Sequence, residues 1–428
     1  MNKIELKLSS NKNWSFFKYY NEKVWYAGEL CIVKKIFYKI IKLEEINIQR
    51  LKNILLNSDN KFALIFKFKS QLFCFTDSIR SYPIFYSQQN NKLLISNDAK
   101  KLIKKSTSTN KEAVIDCLLS GYTHGRYTLY ENIHSMMAAE IIFTPIKFVG
   151  NLKFNKYFIY NFTFKKNKNN LNYFKKKLDI KFNKVISKLI KKANGRQIVI
   201  PLSGGLDSRL ILCKLHEFKY KNIVSFTYGL KDNSDVKYAK IIAELLNIKW
   251  KFVLFEKTKF QKYYNSNFKN KYDSFADNSL SLPNYQDVFF IKELVDEKFI
   301  EKDSIVVNGQ TGDFITGGQI PMNKEKQNFE YFNKEISSKH FFLFNGLNNP
   351  SIKKYIKEIL KKFIQDKPLQ KINFDEMLEL WNFEERQTKY IINGQRAYEF
   401  MNLDWYLPFW DNELIKFWNT VPHKFKVN

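Results

Sequence analysis

The chain has 428 residues, 44% of them hydrophobic and 17% aromatic, with 71 basic against 42 acidic side chains and a formal net charge of +29. That apolar content buries sizeable cores and excludes global disorder, and the length suits about two or three domains. Only seven of the basic residues are arginine, and the lysines are spread along the whole chain beside abundant Asn, Ile, Phe and Tyr, all residues with A/T-rich codons. The charge therefore reads as a base-composition bias. Nucleic acid is not favoured as the principal partner, because that would call for a concentrated basic face. Cys31, Cys74, Cys117 and Cys213 show no CxxC spacing, which points away from zinc and disulfides toward small buried hydrophobes in a reducing compartment. The N-terminus lacks the apolar core of a signal peptide, and no run of about 18 apolar residues occurs. The expectation is a cytoplasmic protein without membrane insertion.

Residues 1 to about 160 predict short strands separated by turns. "KFALIFKF", "SQLFCFTD" and "KLLISND" are the β-rich runs, "QQNNK" reads as a hairpin connection, and "KEAVIDCLLSGY" as an interrupting helix. An α+β domain on antiparallel strands fits this rhythm. The polar stretch 162–170, "FTFKKNKNN", reads as a linker between domains at 1–165 and 170–428. After it, a lysine-rich helix precedes the strand "QIVIPL", the helix "DSRLILCKLHEF", the strand "NIVSFTYG", the helix "DVKYAKIIAELLNI" and the strands "KWKFVLF" and "DSIVVNG". Alternation of strand and helix predicts crossover connections and a parallel sheet of doubly wound α/β type. The last third, from about 325, reads as mostly helical.

The turn "SGGLDS" opens the helix "DSRLILCKLHEF". Gly204 and Gly205 let the backbone approach an anion, and the helix start turns its amides outward. Ser203 and Ser208 add hydroxyls. Asp207 would repel a phosphate unless a metal lay between them, so the turn reads as a polyphosphate cradle with Mg2+. No GxxxxGK[ST] occurs, which excludes a Walker-type site.

SGGLDS resembles the pyrophosphate loop of the ATP pyrophosphatase superfamily, whose members cleave ATP to AMP and pyrophosphate while adenylating a substrate. Three further stretches resemble the asparagine synthetase family within it. "SIVVNGQTGDFITGGQ", residues 304–319, is similar to that family's SGxGADExFGGY segment. It sets Asn308 and Gly309 on the nucleotide-contacting pair, Asp313 on the acidic position, and Gly317 and Gly318 on the Gly pair. Asp207 and Asp313 together would hold the metal. "LDWYLPFWD" resembles VEARVPFLD and keeps Pro408, Phe409 and Asp411, with Arg396 where the family carries a basic residue near the substrate. Leu202 and Tyr228 would line the adenosine. Residues 61–102 resemble the glutaminase domain in front of asparagine synthetases, with Asp77, Pro83, Tyr86 and Ser96 on its pattern. The fold implied is an Ntn-hydrolase-like α+β domain followed by the parallel-sheet domain with a helical C-terminal part.

Departures from the family matter equally. Its glutaminases use an N-terminal cysteine, whereas position 2 is Asn; glutamine hydrolysis is not expected, as in the β-lactam synthetase branch. Phe314 replaces the family's Glu, Gln310 alters the loop's opening, and Lys249 and Trp250 stand where His is frequent. These changes argue against aspartate as the acid. The chain also stops where relatives carry a lysine-bearing segment. The expected activity is ATP- and Mg2+-dependent adenylation of a small-molecule carboxylate followed by attack of ammonia or another amine, with Arg396 and Asp313 as catalytic residues. A homodimer is left open. Alternatives are a tRNA-modifying ATP pyrophosphatase, which the glutaminase-like front half disfavours, and a non-catalytic nucleotide-binding descendant.

Overall fold

Between residues 62 and 76 the chain is apolar on both faces at once, and a computed structural model shows what covers each. It describes residues 2–59, 61–89, 92–148, 150–160, 170–231, 233–321, 328–343, 349–367 and 373–426. Two compact units emerge, one of Met1–Phe162, Asn278–Leu282 and Lys324–Asn393, the other of Thr163–Asp277, Pro283–Asn323 and Gly394–Asn428. The stretch read as a linker lies, up to residue 169, outside the described residues. The helices of the last third are divided between the units.

The first unit is built on two sheets. Its strands are β1 (Asn2–Lys7), β2 (Trp14–Tyr19), β3 (Glu22–Gly28), β4 (Phe62–Phe68), β5 (Gln71–Thr76), β6 (Phe85–Gln89), β7 (Lys92–Ser96), β8 (His134–Ser135), β9 (Glu140–Pro145), β10 (Lys147–Phe148) and β11 (Asn155–Lys156). They form sheets of order β10-β1-β7-β6-β8 and β11-β9-β5-β4-β3-β2. Period-two alternation divides each central strand between two cores. Ala63, Ile65, Leu72 and Cys74 join Ile4, Leu93 and Ile95 between the sheets. Phe62, Leu64, Phe66, Phe73 and Phe75 point the other way, onto helices α1 (Leu30–Ile41) and α2 (Ile48–Leu56). Neither helix was predicted. The α1 stripe is Val33, Ile36, Phe37 and Ile40, the spacing of a core-facing helix. A further helix, α3 (Lys111–Ser120), matches the predicted "KEAVIDCLLSGY" segment and ends at Gly121 with φ +87°.

Two expectations need correcting here. The strands are not uniformly antiparallel, since β1 pairs parallel with β7 while β10 flanks it antiparallel. The cysteines are not all buried: Cys74 is, but Cys31 and Cys213 are exposed. Apolar neighbours in sequence do not imply burial on a helix, where adjacent residues point to different faces.

Helices Phe329–His340, Pro350–Gln365 and Phe374–Trp381 share a core with Leu119 of α3. The last of them runs into a π-helix at Asn382–Ile391, a rare geometry. Its Lys389 is buried, with Nζ donating to the carbonyls of Thr123 (3.0 Å) and Gly125 (2.7 Å) and paired with Glu385.

The second unit carries α4 (Leu171–Ala193), β12 (Ile198–Pro201), α5 (Leu206–Glu217), β13 (Ile223–Gly229), α6 (Ser234–Leu245), β14 (Lys249–Leu254), β15 (Ile305–Val307) and β16 (Asp404–Tyr406). The sheet is entirely parallel, in the order β14-β13-β12-β15-β16. Its central strands are apolar on both faces, with Ile198, Val199, Ile200, Ile305, Val306 and Val307 fully buried, as a sheet covered by crossover helices requires. Strand order reverses between β12 and β15. Ligand crevices form at the carboxyl ends of the strands at such a point. Strand β16 was not predicted, and no described helix is long and apolar enough to cross a membrane.

Candidate active site

Both glycine-containing loops leave the sheet at this reversal. Leu202 is still held to β13, its amide donating to the Phe226 carbonyl (2.8 Å) and its carbonyl accepting the Thr227 hydroxyl (2.6 Å). The chain then turns. Ser203 N–H donates to Ser208 Oγ (3.1 Å), the two hydroxyl oxygens lie 3.2 Å apart, and Gly205 N–H donates to Ser203 Oγ (3.2 Å). Arg209 draws the loop carbonyls back onto the helix, through Nε to Gly205 O (2.9 Å) and Nη2 to Gly204 O (2.6 Å). Helix α5 begins at Leu206 behind Gly205, an N-cap residue that supplies no side-chain cap, which leaves first-turn amides for an anion.

The two glycines do different jobs. Gly204 N–H donates to Asp235 Oδ1 (3.0 Å), and a Cβ at position 204 would lie 2.5 Å from that oxygen. Gly205 is exposed, and a Cβ there would meet only Ser203 Oγ, at 3.2 Å. Room beside Gly204 is thus taken by a carboxylate at the start of α6; Gly205 faces open space.

The second loop presses against the first. A Cβ on Gly309 would sit 2.8 Å from Ser208 N, and one on Gly312 within 2.3 to 2.6 Å of the Asp207 carboxylate atoms. Between them Thr311, buried and β-branched, holds φ +79°, a left-handed conformation worth about 1 to 3 kcal/mol of strain that concentrates at functional sites. Asp313 follows in the first turn of the short helix Gly312–Ile315 and is exposed, with Gln319 Nε2 donating to its Oδ2 (3.1 Å). Burial first, and the Asp313 charge second, push the half-buried Asp207 carboxyl up to about 6, while a hydrogen bond from the Asp313 amide works in the opposite direction. Two like charges brought together at anion-directed amides suit a divalent cation with phosphate oxygens. No group of three or more metal-ligating side chains exists among the described residues; one or two carboxylates plus phosphates and water is the set Mg2+ accepts.

Behind the loops lies a buried network absent from the sequence reading. Asp287 accepts from Tyr228 OH (2.7 Å), Tyr398 OH (3.0 Å) and Asn284 Nδ2 (3.0 Å), and Tyr398 OH accepts from Asn308 Nδ2 (2.9 Å). Burial raises the Asp287 carboxyl, and its donors oppose this. The network joins Tyr228 to Asn308. The Tyr228 ring stacks on Phe290, with centroids 4.2 Å apart. Arg396 is buried rather than a solvent-facing helix charge, its Nη1 lying 2.9 Å from Glu399 Oε2, and Glu399 accepts the Trp405 indole N–H (2.6 Å). Its neighbour Gln395 donates to Gln310 Oε1 (2.6 Å), tying this helix to the second loop. Phe314, where relatives carry Glu, is buried beside Trp410.

Leu202, Ser203, Gly204, Gly205, Asp207, Ser208, Gly309 and Asp313 therefore converge, with Tyr228 and Asn308 joined to one another behind them. Arg209, Asp235, Asp287 and Tyr398 escaped the sequence reading. Asp235 carried a readable signal, since it opens the helix after the neighbouring strand.

A parallel sheet covered by helices, with paired loops at the strand reversal, defines an α/β protein with a ligand crevice at that point. A family model for asparagine synthase matches residues 193–428, and the chain belongs to the asparagine synthase family. Membership brings ATP use and ligase-type chemistry. Solved structures with some likeness include an ammonia-dependent NAD synthetase from Campylobacter jejuni (14% identity, 46% of this chain and 98% of that one, TM-score 0.25). Others are a U34-tRNA thiolase from Methanococcus maripaludis (15%, 56% and 83%, TM-score 0.26) and an NMN synthetase from Francisella tularensis (12%, 50% and 95%, TM-score 0.26). At such scores the likeness decides nothing. No curated protein matches the chain.

Proposed function

We propose that the protein is an amide-forming ligase that adenylates a small carboxylic acid with ATP and passes the acyl group to ammonia or another amine. The carrying observation is the contact of the two loops, with Gly309 and Gly312 admitting Asp207 and Ser208 at the sheet reversal. In this reading the α5 amides and the hydroxyls of Ser203 and Ser208 bind the β- and γ-phosphates, and Leu202 and Tyr228 line the adenosine. A carboxylate oxygen of the acid bonds to the α-phosphorus as the bond to the β-phosphate oxygen breaks, releasing pyrophosphate. The amine then bonds to the acyl carbon, loses a proton, and AMP leaves. Mg2+ bound with ATP between Asp207 and Asp313 would neutralise phosphate charge. Arg396, steadied by Glu399, would stabilise the adenylate phosphate; the chain's part is positioning and charge stabilisation. Phe314 in the core supports an acid other than aspartate.

Residues 1–165 are read as a glutaminase-like domain that does not hydrolyse glutamine, and 170–428 as the synthetase domain. The two-sheet arrangement of the front half supports the first part of this reading. The test is pyrophosphate release from Mg·ATP with ammonium or glutamine and pools of carboxylic acids. Release requiring one acid and ammonium is expected. Bound ATP with no release in any pool would replace this reading by a non-catalytic nucleotide binder, and release with glutamine alone would overturn the view of the front half.

A further inference from the structure

Three consecutive peptide planes run through the glycine pair of the first loop, and a side chain holds each of them. Gly204 N–H donates to Asp235 Oδ1 (3.0 Å), Gly204 O accepts from Arg209 Nη2 (2.6 Å), and Gly205 O accepts from Arg209 Nε (2.9 Å). A trans peptide is planar, so fixing its N–H or its C=O fixes the other group as well. Holding Gly205 O therefore turns the Leu206 N–H, the first amide of α5, the opposite way. Without such ties two adjacent glycines sample many orientations, because neither has a Cβ to restrict it.

Of the two ties, Arg209 is local to α5. Asp235 comes from α6, 31 positions away in sequence. Among the amides of Ser203, Gly204 and Gly205, that of Gly204 is the one bonded outside the SGGLDS turn within the described residues. A first-turn aspartate ordinarily serves the amides of its own helix. Here Asn233 already caps α6, its side chain accepting the Asp235 N–H (2.8 Å), and the Asp235 carboxylate reaches across to the loop instead. The backbone of α6 also packs directly on Gly204, where a Cβ would lie 3.2 Å from Asp235 Cα and 3.4 Å from Tyr238 Cδ2. The negative charge of Asp235 is no help to a loop that receives anions. What it contributes is an acceptor oxygen, which a neutral side chain of the same shape would also supply.

We infer that Asp235 is a positioning residue of the phosphate loop: with Arg209 it clamps Gly204 from both ends and sets the peptide planes so that the α5 amides face the phosphates. It touches no reacting atom. The inference rests on the reading of this loop as the polyphosphate cradle and adds the group that shapes it.

Asp235→Ala removes the acceptor, whereas Asp235→Asn keeps it and removes only the charge; the residue is exposed, so neither change disturbs the core. Hydrogen–deuterium exchange of the full chain without ligand reads the clamp itself. The peptide spanning the turn should exchange about tenfold faster in the Ala variant and at the parent rate in the Asn variant. Calorimetric titrations with pyrophosphate and with AMP, both in excess Mg2+, read what the clamp serves. Pyrophosphate should bind about tenfold more weakly to the Ala variant, and to the Asn variant at least as tightly as to the parent. AMP, whose adenosine lies against Leu202 and Tyr228 in the same reading, should bind all three alike, whereas a bond that only stabilised the fold would weaken both ligands or neither. Unchanged exchange or unchanged pyrophosphate affinity in the Ala variant, equal weakening of AMP, or failure of Asn to restore the parent behaviour would overturn the assignment and leave the cradle standing. A parent chain that binds no pyrophosphate would overturn the cradle and this role together.

Discussion

With its carboxyl pushed up to about 6 by burial and then by the neighbouring Asp313 charge, Asp207 is ionised at neutral pH against the preference of its surroundings. The fold carries that penalty whenever no cation is bound. Relative to an ordinary value of 3.8, the raised value amounts to at most about 3 kcal/mol at about 1.4 kcal/mol per unit. Solvent screening of a half-exposed group reduces it to about 1 kcal/mol. The folded state binds this proton more tightly than the unfolded chain, so the penalty is absent below pH 3.8, grows through the interval up to about 6, and is complete above it. Asp207→Asn, which keeps an oxygen for the Asp313 amide, should therefore raise stability by about 1 kcal/mol near pH 8 without Mg2+. Near pH 4 the gain should vanish. Urea denaturation at several pH values reads the stability, and pyrophosphate release reads the chemistry, which should be lost. A variant equally or less stable than the parent near pH 8, or a gain independent of pH, would refute the view of Asp207 as a charge held in place for a cation.

Gly312→Ala places a methyl 2.3 Å from Asp207 Cγ, so Asp207 must move; pyrophosphate release should fall about 100-fold, since displacements near 1 Å have that effect, while far-UV circular dichroism stays unchanged. Asp287→Ala strands the donors Tyr228, Tyr398 and Asn284 and should lower stability in urea by about 2 to 4 kcal/mol and raise the KM for ATP more than it lowers kcat. Gly204→Ala should be harmful and Gly205→Ala mild, because only the former meets Asp235, at 2.5 Å; ATP titrations compare them. Thiol labelling of the native protein should modify Cys31 and Cys213 rapidly, with Cys74 reacting only after unfolding.

The parallel sheet was legible because buried strands such as "QIVIPL" and "DSIVVNG" announce themselves by continuous apolar runs between helical segments. The loops were legible because two polar, glycine-bearing turns follow those strands. Helices α1 and α2 were not: "LCIVKKIFYKII" is dense in β-branched residues, and only the sheet surface beneath it decides for a helix. Strand β16, three residues long, lies below any periodicity. Asp287 and Tyr398 carry no local pattern that sets them apart. Their role arises from a meeting across 111 positions of sequence.

The interleaving of the two units has a consequence for synthesis. The first unit awaits Lys324–Asn393 for its helical part, and the second awaits Gly394–Asn428, which supplies the edge strand β16. A chain emerging from the ribosome therefore completes neither unit until translation has passed residue 393. Strand β12 is made long before its partner β15 and must remain half-paired in the interval. Open apolar strands of this kind invite chaperone capture during translation.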